Sequence, residues 1–116
     1  MKIFVNLTEI MDEAERHIRR AERPLEFCIG ELQDGLSLDP LTAYSSVLVP
    51  FFAKQRDACL EIRTKSTAVE RLLSLNHGQR ILLSWTLSPP EVARIFEVGA
   101  PPVEERIAAM RRCADL

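Results

Sequence analysis

Long apolar runs, cysteine clusters and an excess of positive charge are all missing from this sequence. No apolar stretch approaches the roughly 18 to 20 residues of a membrane span, and the amino terminus lacks the basic-then-apolar order of a signal peptide. The three cysteines, Cys28, Cys59 and Cys113, are odd in number and far apart, so they predict neither a disulfide framework nor a zinc or iron–sulfur ligand set. We therefore expect a cytoplasmic protein with free thiols and no membrane partner.

The charge balance is close to neutral. There are 15 basic and 17 acidic residues, and the formal net charge is −2. Global charge therefore gives no support for a nucleic-acid partner, although it does not exclude one. With 47% hydrophobic and 28% charged residues, the 116-residue chain has the composition of a globular domain that can bury a core. No linker, fixed-period repeat or low-complexity tract divides it, so residues 1–116 are predicted to form a single domain.

Three short segments alternate apolar and polar residues in the way that predicts β-strands. They span residues 25–31, 58–65 and 80–86, and helical patterns separate them. Strands joined by helical segments pair in parallel through right-handed crossovers. A complete β/α barrel needs on the order of 250 residues, so this chain can supply only about half of one. The predicted fold class is therefore α/β, a partial parallel β/α barrel that resembles half of a TIM barrel.

Two helices are predicted before the second strand. A short apolar run at residues 2–5 leads into helical spacing from Thr8, which we expect to cap the first helix. The second helix is predicted to begin at Asp39, a residue suited to capping free amides, with Pro40 at the first helical position. Pro50 lies in the apolar stripe of this helix and predicts a kink or an early end, because proline lacks a backbone donor.

The second half of the chain predicts three further helices. One covers residues 67–75, one follows Ser88-Pro89-Pro90 and runs through residue 96, and one starts after Pro101-Pro102. The residues predicted to face inward from the last helix are Val103, Ile107 and Met110.

The predicted strands have one apolar face and one polar face. The apolar residues expected beneath the helices are Leu25, Phe27, Ile29, Leu60, Ile62, Ile81, Leu83 and Trp85. The opposite face carries Glu26, Cys28, Gly30, Glu61, Arg63, Lys65, Arg80, Leu82, Ser84 and Thr86. Parallel strands buried on both faces are nearly all apolar, so this second face must be wet. Two interpretations remain open: an open sheet whose second face meets water, and the concave wall of a polar active-site cavity.

Several segments match a known family when they are taken in order along the chain. They are Ile29-Gly30-Glu31 with Asp34, and residues 36–42, 60–66, 83–88, 96–99 and 105–109. Together they resemble the spore photoproduct lyase family of radical S-adenosylmethionine enzymes. The resemblance covers nearly the whole chain and implies a partial β/α barrel. It also implies a reaction in which an iron–sulfur cluster cleaves S-adenosylmethionine to a radical that repairs a thymine dimer in DNA.

The resemblance also implies a cofactor site, residue by residue. Gly30 and Glu31 are similar to the glycine and acid that receive the amino group of the cofactor's methionine part, and Lys65 is similar to the lysine near its carboxylate. Ser84 and Thr86 are similar to polar residues near its ribose or methionine end. The chemistry agrees, because a zwitterionic amino acid needs an acid for its ammonium and a base for its carboxylate. The simpler alternative is that Glu31 and Lys65 are surface charges at loop starts.

Two departures from the family bear on activity. The Cys-x-x-x-Cys-x-x-Cys loop that holds the 4Fe-4S cluster in full-length members has no counterpart here. The cysteines present cannot replace it, because cluster ligands must converge on one loop. Glu31 occupies the position of the cysteine that supplies a hydrogen atom in the DNA-repairing lyases, and Cys28 lies roughly three residues, some 10 Å, too early.

The sequence therefore predicts the middle portion of a longer lyase-like enzyme that is inactive alone, with no catalytic or metal-binding residue assigned. S-adenosylmethionine is the implied cofactor, and nucleic acid is a partner by resemblance only. The alternative from another functional class is a non-catalytic scaffold or interaction module. Such a module would bind another chain, or a second copy of itself, through the exposed edges of an incomplete barrel.

Overall fold

The computed structural model describes residues 5–116, which form a parallel sheet of three strands with helices packed on one of its faces. The strands are β1 (Leu25–Ile29), β2 (Ala58–Thr64) and β3 (Ile81–Trp85). The helices are α1 (Leu7–Arg20), α2 (Asp39–Thr42), α3 (Ser45–Ala53), α4 (Pro90–Phe96) and α5 (Val103–Cys113). Most of the apolar run predicted at residues 2–5 lies outside the described residues. At 14 residues α1 is the longest helix of the described part, where no helix is long and apolar enough to cross a membrane.

The strand order is β1-β2-β3, and both pairs are parallel, as predicted. Phe27 lies opposite Leu60, and Ile62 lies opposite Leu83, so the apolar residues of neighbouring strands share one face. Side chains alternate along a strand, so the register also puts the polar residues together on the other face. Arg63 pairs with Ser84 there, which confirms the predicted division into two faces.

The core lies between the apolar face of the sheet and the helices. Leu60 and Ile62 at its centre are each 1% exposed, and the ring of Phe27 packs 5.2 Å from that of Phe52 on α3. Burying side chains of this size contributes roughly 1.5–3 kcal/mol each. The other predicted apolar residues that pack against this cluster are Ile29, Ile81, Leu83 and Trp85. Packing on one face leaves the polar face free to form a site.

The helix predicted from Asp39 is interrupted, but not at the proline. Ala43 adopts a left-handed conformation with φ of 53°, which separates α2 from α3, while Pro50 lies inside α3. The carboxylate of Asp39 accepts hydrogen bonds from the backbone N–H of Ser45 at 2.8 Å and from its hydroxyl at 2.7 Å. Asp39 therefore holds the start of α3 instead of capping its own helix, and the break falls where the chain must turn to make that contact.

Two smaller helix predictions were also wrong. α1 begins at Leu7 with Asn6 at its N-cap, so Thr8 lies inside the helix and does not cap it. Of the helix predicted over residues 67–75, only a 3₁₀ turn at Leu72–Ser74 forms. The hydroxyl of Ser66 accepts a hydrogen bond from the backbone N–H of Ala68, and this local turn competes with a helix start.

The inward face of α5 differs from the prediction. Val103 is buried as expected, but the next buried positions are Arg106 and Ala109, while Met110 is 37% exposed. An arginine replaces an apolar residue in the interior because this one has carbonyl and carboxylate partners there, as described below. Periodicity alone assigns charged residues to the outer face of a helix, so it predicted the wrong set of inward-facing positions.

Candidate functional site

A cavity of about 660 Å³ opens at the carboxyl ends of the three strands. Its wall includes Gly30 and Glu31 after β1, Lys65 after β2 and Thr86 after β3. Gly99, in the connection between α4 and α5, also lines it. Parallel α/β folds bind their ligands in this position, beyond the carboxyl ends of the strands.

The structure brings together four of the five residues that the resemblance implied: Gly30, Glu31, Lys65 and Thr86. Ser84 lies apart from them. Its hydroxyl donates a hydrogen bond to Glu61 at 2.7 Å on the polar face of the sheet, below the cavity. Glu31 and Lys65 line the same cavity, but each has a different ionic partner.

We call Glu31, Arg63 and Glu61 the acidic network. The Arg63 guanidinium contacts the Glu31 carboxylate at 2.5 Å and the Glu61 carboxylate at 2.8 Å. The hydrogen bond from Arg63, supported by the one from Ser84, lowers the pKa of Glu61 to about 2. The same bond, donated by Arg63 to Glu61, raises the pKa of Arg63 above its ordinary value. Arg63 itself lines the cavity, and its role as the partner of Glu31 was not predicted.

Cys28 lies beside this network, opposite Glu61 in the register of β1 and β2. Loss of water around the sulfur raises the pKa of the Cys28 thiol, Arg63 lowers it, and a hydrogen bond to Glu61 raises it again, so that the net shift is upward. A thiol with a raised pKa is a poor nucleophile at neutral pH, because the thiolate is the reactive form. The exposed position of Cys28 therefore does not make it a nucleophilic centre.

Asp34 ties the loop after β1 to the end of β2. Its carboxylate accepts hydrogen bonds from the backbone N–H groups of Leu36 and Ser37 at 2.9 Å, from the Thr64 hydroxyl at 2.7 Å, and from the Lys65 N–H at 2.5 Å. Burial alone would raise the pKa of Asp34, but these hydrogen bonds outweigh it and hold the pKa below its ordinary value. The carboxylate thus fastens the loop that follows Glu31 to the backbone of Lys65.

Glycine is required where this loop crosses β2. Gly30 has φ of +107°, and a Cβ atom built on it would lie 2.1 Å from the carbonyl oxygen of Arg63. Gly35 is also close, although less severely, since its Cβ would lie 3.0 Å from the same oxygen. A side chain at either position would push the loop away from the strand. The glycine that the resemblance placed at the cofactor site therefore also has a local steric role.

We call Lys65, Glu97 and Arg106 the basic network. The Lys65 ammonium lies 3.8 Å from one carboxylate oxygen of Glu97, and the Arg106 guanidinium lies 2.6 Å from the other. The Ser88 hydroxyl donates to Glu97 at 2.9 Å. The hydrogen bond from Arg106 is the largest influence on Glu97; partial burial opposes it, and the pKa of the carboxyl is lowered overall.

From inside the protein, Arg106 anchors the side of the cavity formed by Thr86 and the connection between α4 and α5. Its side chain is 1% exposed, and it donates to the carbonyl oxygens of Pro101 at 2.7 Å and Thr86 at 3.1 Å. Sequence reasoning missed both Arg106 and Glu97 as site residues. The signal was present, because both lie in segments that carried the resemblance, but an arginine on a helix is normally assigned to the surface.

The described residues do not fit an iron–sulfur cluster. Cys28 is exposed on β1, Cys59 is half-buried on β2, and Cys113 is buried at the end of α5. Within residues 5–116 no group of three or more His, Cys, Asp or Glu residues is arranged to hold a metal ion. The zwitterionic part of S-adenosylmethionine fits better, since an acid and a base line one cavity.

Comparison with known proteins identifies related chains. The family model described as "Spore photoproduct lyase" matches residues 1–116. The chain is 27% identical over 117 residues to the spore photoproduct lyase of Bacillus subtilis (strain 168), covering 98% of this chain and 34% of that protein. It is 24% identical over 111 residues to the spore photoproduct lyase of Clostridium acetobutylicum, covering 92% of this chain and 32% of that protein.

Solved structures show the same relation in three dimensions. A spore photoproduct lyase complexed with dinucleoside spore photoproduct superposes with a TM-score of 0.91 at 26% identity, over 97% of this chain and 34% of that one. A variant lyase with bound AdoMet and dinucleoside spore photoproduct superposes equally well. The chain therefore spans about a third of the length of these relatives. The predicted partial barrel is confirmed, and a family match over all 116 residues means that the chain belongs to the spore photoproduct lyase family.

Proposed function

We propose that this chain binds S-adenosylmethionine in the cavity at the strand ends and supplies the cofactor-binding wall of a spore photoproduct lyase. The observation that carries the proposal is that Glu31 and Lys65 line one cavity of about 660 Å³. A related lyase has AdoMet and dinucleoside spore photoproduct bound, which supports the same ligand class here. The proposed role for the complete protein is accordingly repair of that DNA lesion.

In this proposal the acidic and basic networks receive opposite ends of the amino acid part. Glu31, with the backbone at Gly30, receives the ammonium group, and Lys65 receives the carboxylate. Thr86, which lines the cavity, is assigned to the ribose or methionine end of the ligand. Ser84 acts from below the cavity by holding Glu61. Charge-assisted hydrogen bonds of this kind are about twice as strong as neutral ones, so they would dominate recognition of the zwitterion.

Calorimetric titration with S-adenosylmethionine tests the binding proposal. Glu31→Ala and Lys65→Ala should each weaken binding by roughly tenfold or more, because each removes a charged hydrogen-bond partner. Glu26→Ala and Lys54→Ala are matched controls: both residues are exposed and neither lines the cavity. The proposal fails if the unmutated chain shows no heat of binding, or if the control variants lose as much affinity as the site variants.

S-adenosylmethionine bound at a reduced cluster supplies the radical chemistry of this family. We propose that the cluster comes from a longer chain or a partner protein, since residues 5–116 offer no ligand set for it. Iron and sulfide analysis after anaerobic reconstitution tests this step. The 116-residue chain should retain almost no cluster, and an upstream-extended chain that includes three closely spaced cysteines should retain one. Stoichiometric cluster on the 116-residue chain would contradict the proposal.

A second candidate function is a non-catalytic interaction module. Several large apolar side chains on or after α4 are exposed: Ile95 by 63%, Phe96 by 77% and Val98 by 89%. In the described sheet β1 and β3 are edge strands, and unpaired edges favour association with another chain. Size-exclusion chromatography with light scattering separates the candidates. A concentration-dependent dimer that Phe96→Ser disrupts would favour the module, and a stable monomer would count against it.

A further inference from the structure

A line of charged groups leads from the cavity into the protein interior through Lys65, Glu97 and Arg106. We propose that Glu97, anchored by the buried Arg106, is a positioning residue that holds the Lys65 ammonium against the cavity wall. The inference deepens the proposed function, because it assigns Glu97 the task of presenting Lys65 to the carboxylate of the ligand. Neither Glu97 nor Arg106 needs to touch that ligand.

The burial of Arg106 makes Glu97 a fixed point. A guanidinium that is 1% exposed must be matched by an anion and by hydrogen-bond acceptors. Glu97 is that anion, and the carbonyl oxygens of Pro101 and Thr86 are the acceptors. The Ser88 hydroxyl contacts the same carboxylate from another direction. With the Ser88 hydroxyl on one oxygen and the Arg106 guanidinium 2.6 Å from the other, the Glu97 carboxylate has little freedom to rotate.

Lys65 needs such a fixed partner more than an arginine would. Its ammonium is a point charge on a flexible four-carbon stem, and 40% of the side chain is exposed. Without a partner, this side chain would distribute over many rotamers, and a ligand would have to restrict it again at an entropic cost. Glu97 lies 32 residues further along the chain, so the contact depends on the tertiary fold and connects the end of β2 to the segment between α4 and α5.

Amine labelling of the ligand-free protein tests the inference directly. The chain has three lysines, Lys2, Lys54 and Lys65, so peptide mass spectrometry can follow each one, with exposed Lys54 as the internal reference. Glu97→Asp keeps the charge beside Arg106 but withdraws the carboxylate by one methylene. It should raise the labelling rate of Lys65 relative to Lys54 by roughly two- to fivefold, the range expected for releasing a partly exposed ion pair.

Glu91→Asp is the matched control, because Glu91 is an exposed acid on α4 without a described contact to Lys65. It should leave the ratio of the two labelling rates unchanged. An unchanged ratio in Glu97→Asp, or an equal rise in Glu91→Asp, overturns the positioning role. Arg106→Lys should raise the ratio less than Glu97→Asp does, since a lysine keeps a cation next to Glu97.

Ligand binding separates positioning from a general structural role. Glu97→Asp should weaken binding of S-adenosylmethionine by about threefold to tenfold, while decarboxylated S-adenosylmethionine, which lacks the group that Lys65 meets, should bind the variant and the unmutated chain alike. Equal losses for both ligands would show a structural effect and overturn the inference. If the unmutated chain binds neither ligand, the cofactor proposal fails, and the labelling ratio alone decides whether Glu97 positions Lys65.

Discussion

The acidic and basic networks face the same cavity but are built differently. In the acidic network the side chains of Glu31 and Arg63 are 62% and 47% exposed, and that of Glu61 is 10% exposed. In the basic network Lys65 is 40% exposed, Glu97 is 13% exposed and Arg106 is 1% exposed. By formal charge the acidic network carries one net negative charge and the basic network one net positive charge. The cavity therefore has two poles, and the basic pole is the more deeply buried because its anchor, Arg106, lies in the core.

The two networks differ in how much free energy is needed to separate their charges. Exposed ion pairs contribute little to folding and can exchange partners, so Glu31 is free to leave Arg63 for a ligand ammonium. Buried charges are costly to separate, so Arg106 and Glu97 must stay together in the folded protein. We infer an adaptable acidic pole and a rigid basic pole, and four predictions test that contrast, from the largest expected effect to the smallest.

Removing the buried guanidinium should have the largest effect on stability. Arg106→Met should lower the free energy of unfolding by about 3–5 kcal/mol, because it leaves the Glu97 carboxylate and two carbonyl oxygens without their partner. Urea denaturation followed by circular dichroism measures the change. Arg106→Lys is the control and should recover part of the loss. If the free energy of unfolding falls no more than it does when an exposed arginine is replaced, the contrast between the poles is wrong.

Adding a side chain at Gly30, where the loop passes close to the backbone of Arg63, should have the next largest effect on stability. Gly30→Ala should cost at least about 2 kcal/mol, since it combines a positive φ with a clash against the Arg63 carbonyl. Gly99→Ala is a matched control: φ there is +85°, but nothing lies within 4 Å of the added Cβ. The control should cost only about 1 kcal/mol, from backbone conformation alone. Equal costs would show that the close approach is unimportant.

Acid should weaken the acidic network within a defined range of pH. The pKa of Glu61 is lowered from 4.5 to about 2 in the folded chain. A group with a depressed pKa stabilises the fold fully above its unfolded pKa and loses that contribution as the pH falls to the folded value. Thermal stability should therefore decline between about pH 4.5 and pH 2, and less steeply in Glu61→Gln than in the unmutated chain. Glu26→Gln, which changes an exposed acid on β1, should leave the decline of thermal stability with pH as steep as in the unmutated chain.

Removing the exposed guanidinium should have the smallest effect on stability. Arg63→Met breaks contacts to two carboxylates. Solvent can serve the exposed Glu31, and the buried Glu61 keeps the hydrogen bond from Ser84, so the urea midpoint should fall by less than in Arg106→Met. Calorimetric titration should instead show stronger binding of S-adenosylmethionine, because Glu31 no longer has a competing cation. A large fall in stability would mean that the acidic network is as structural as the basic one.

Local signals predicted the edge of the sheet at which a site would form, and the family resemblance implied which residues belong to it. Gly30, Lys65 and Thr86 each come directly after a strand, Glu31 follows Gly30, and parallel pairing brings such positions to one edge. The same reasoning failed at positions that depend on distant contacts. The break at Ala43 follows from the contact between Asp39 and Ser45, and local propensity favoured Pro50 instead.

The order of apolar and polar residues by itself determined the three parallel strands and the division of the sheet into two faces. It also determined the edge at which a cavity would form. Side-chain alternation and crossover geometry follow local rules, so the sequence alone is enough to apply them. Only the tertiary structure decided which charges meet. Arg63 reaches Glu31 across 32 residues, and Arg106 turns inward toward Glu97 and Thr86. The direction of a long charged side chain depends on the partners that the folded chain brings near it, and no local pattern encodes those partners.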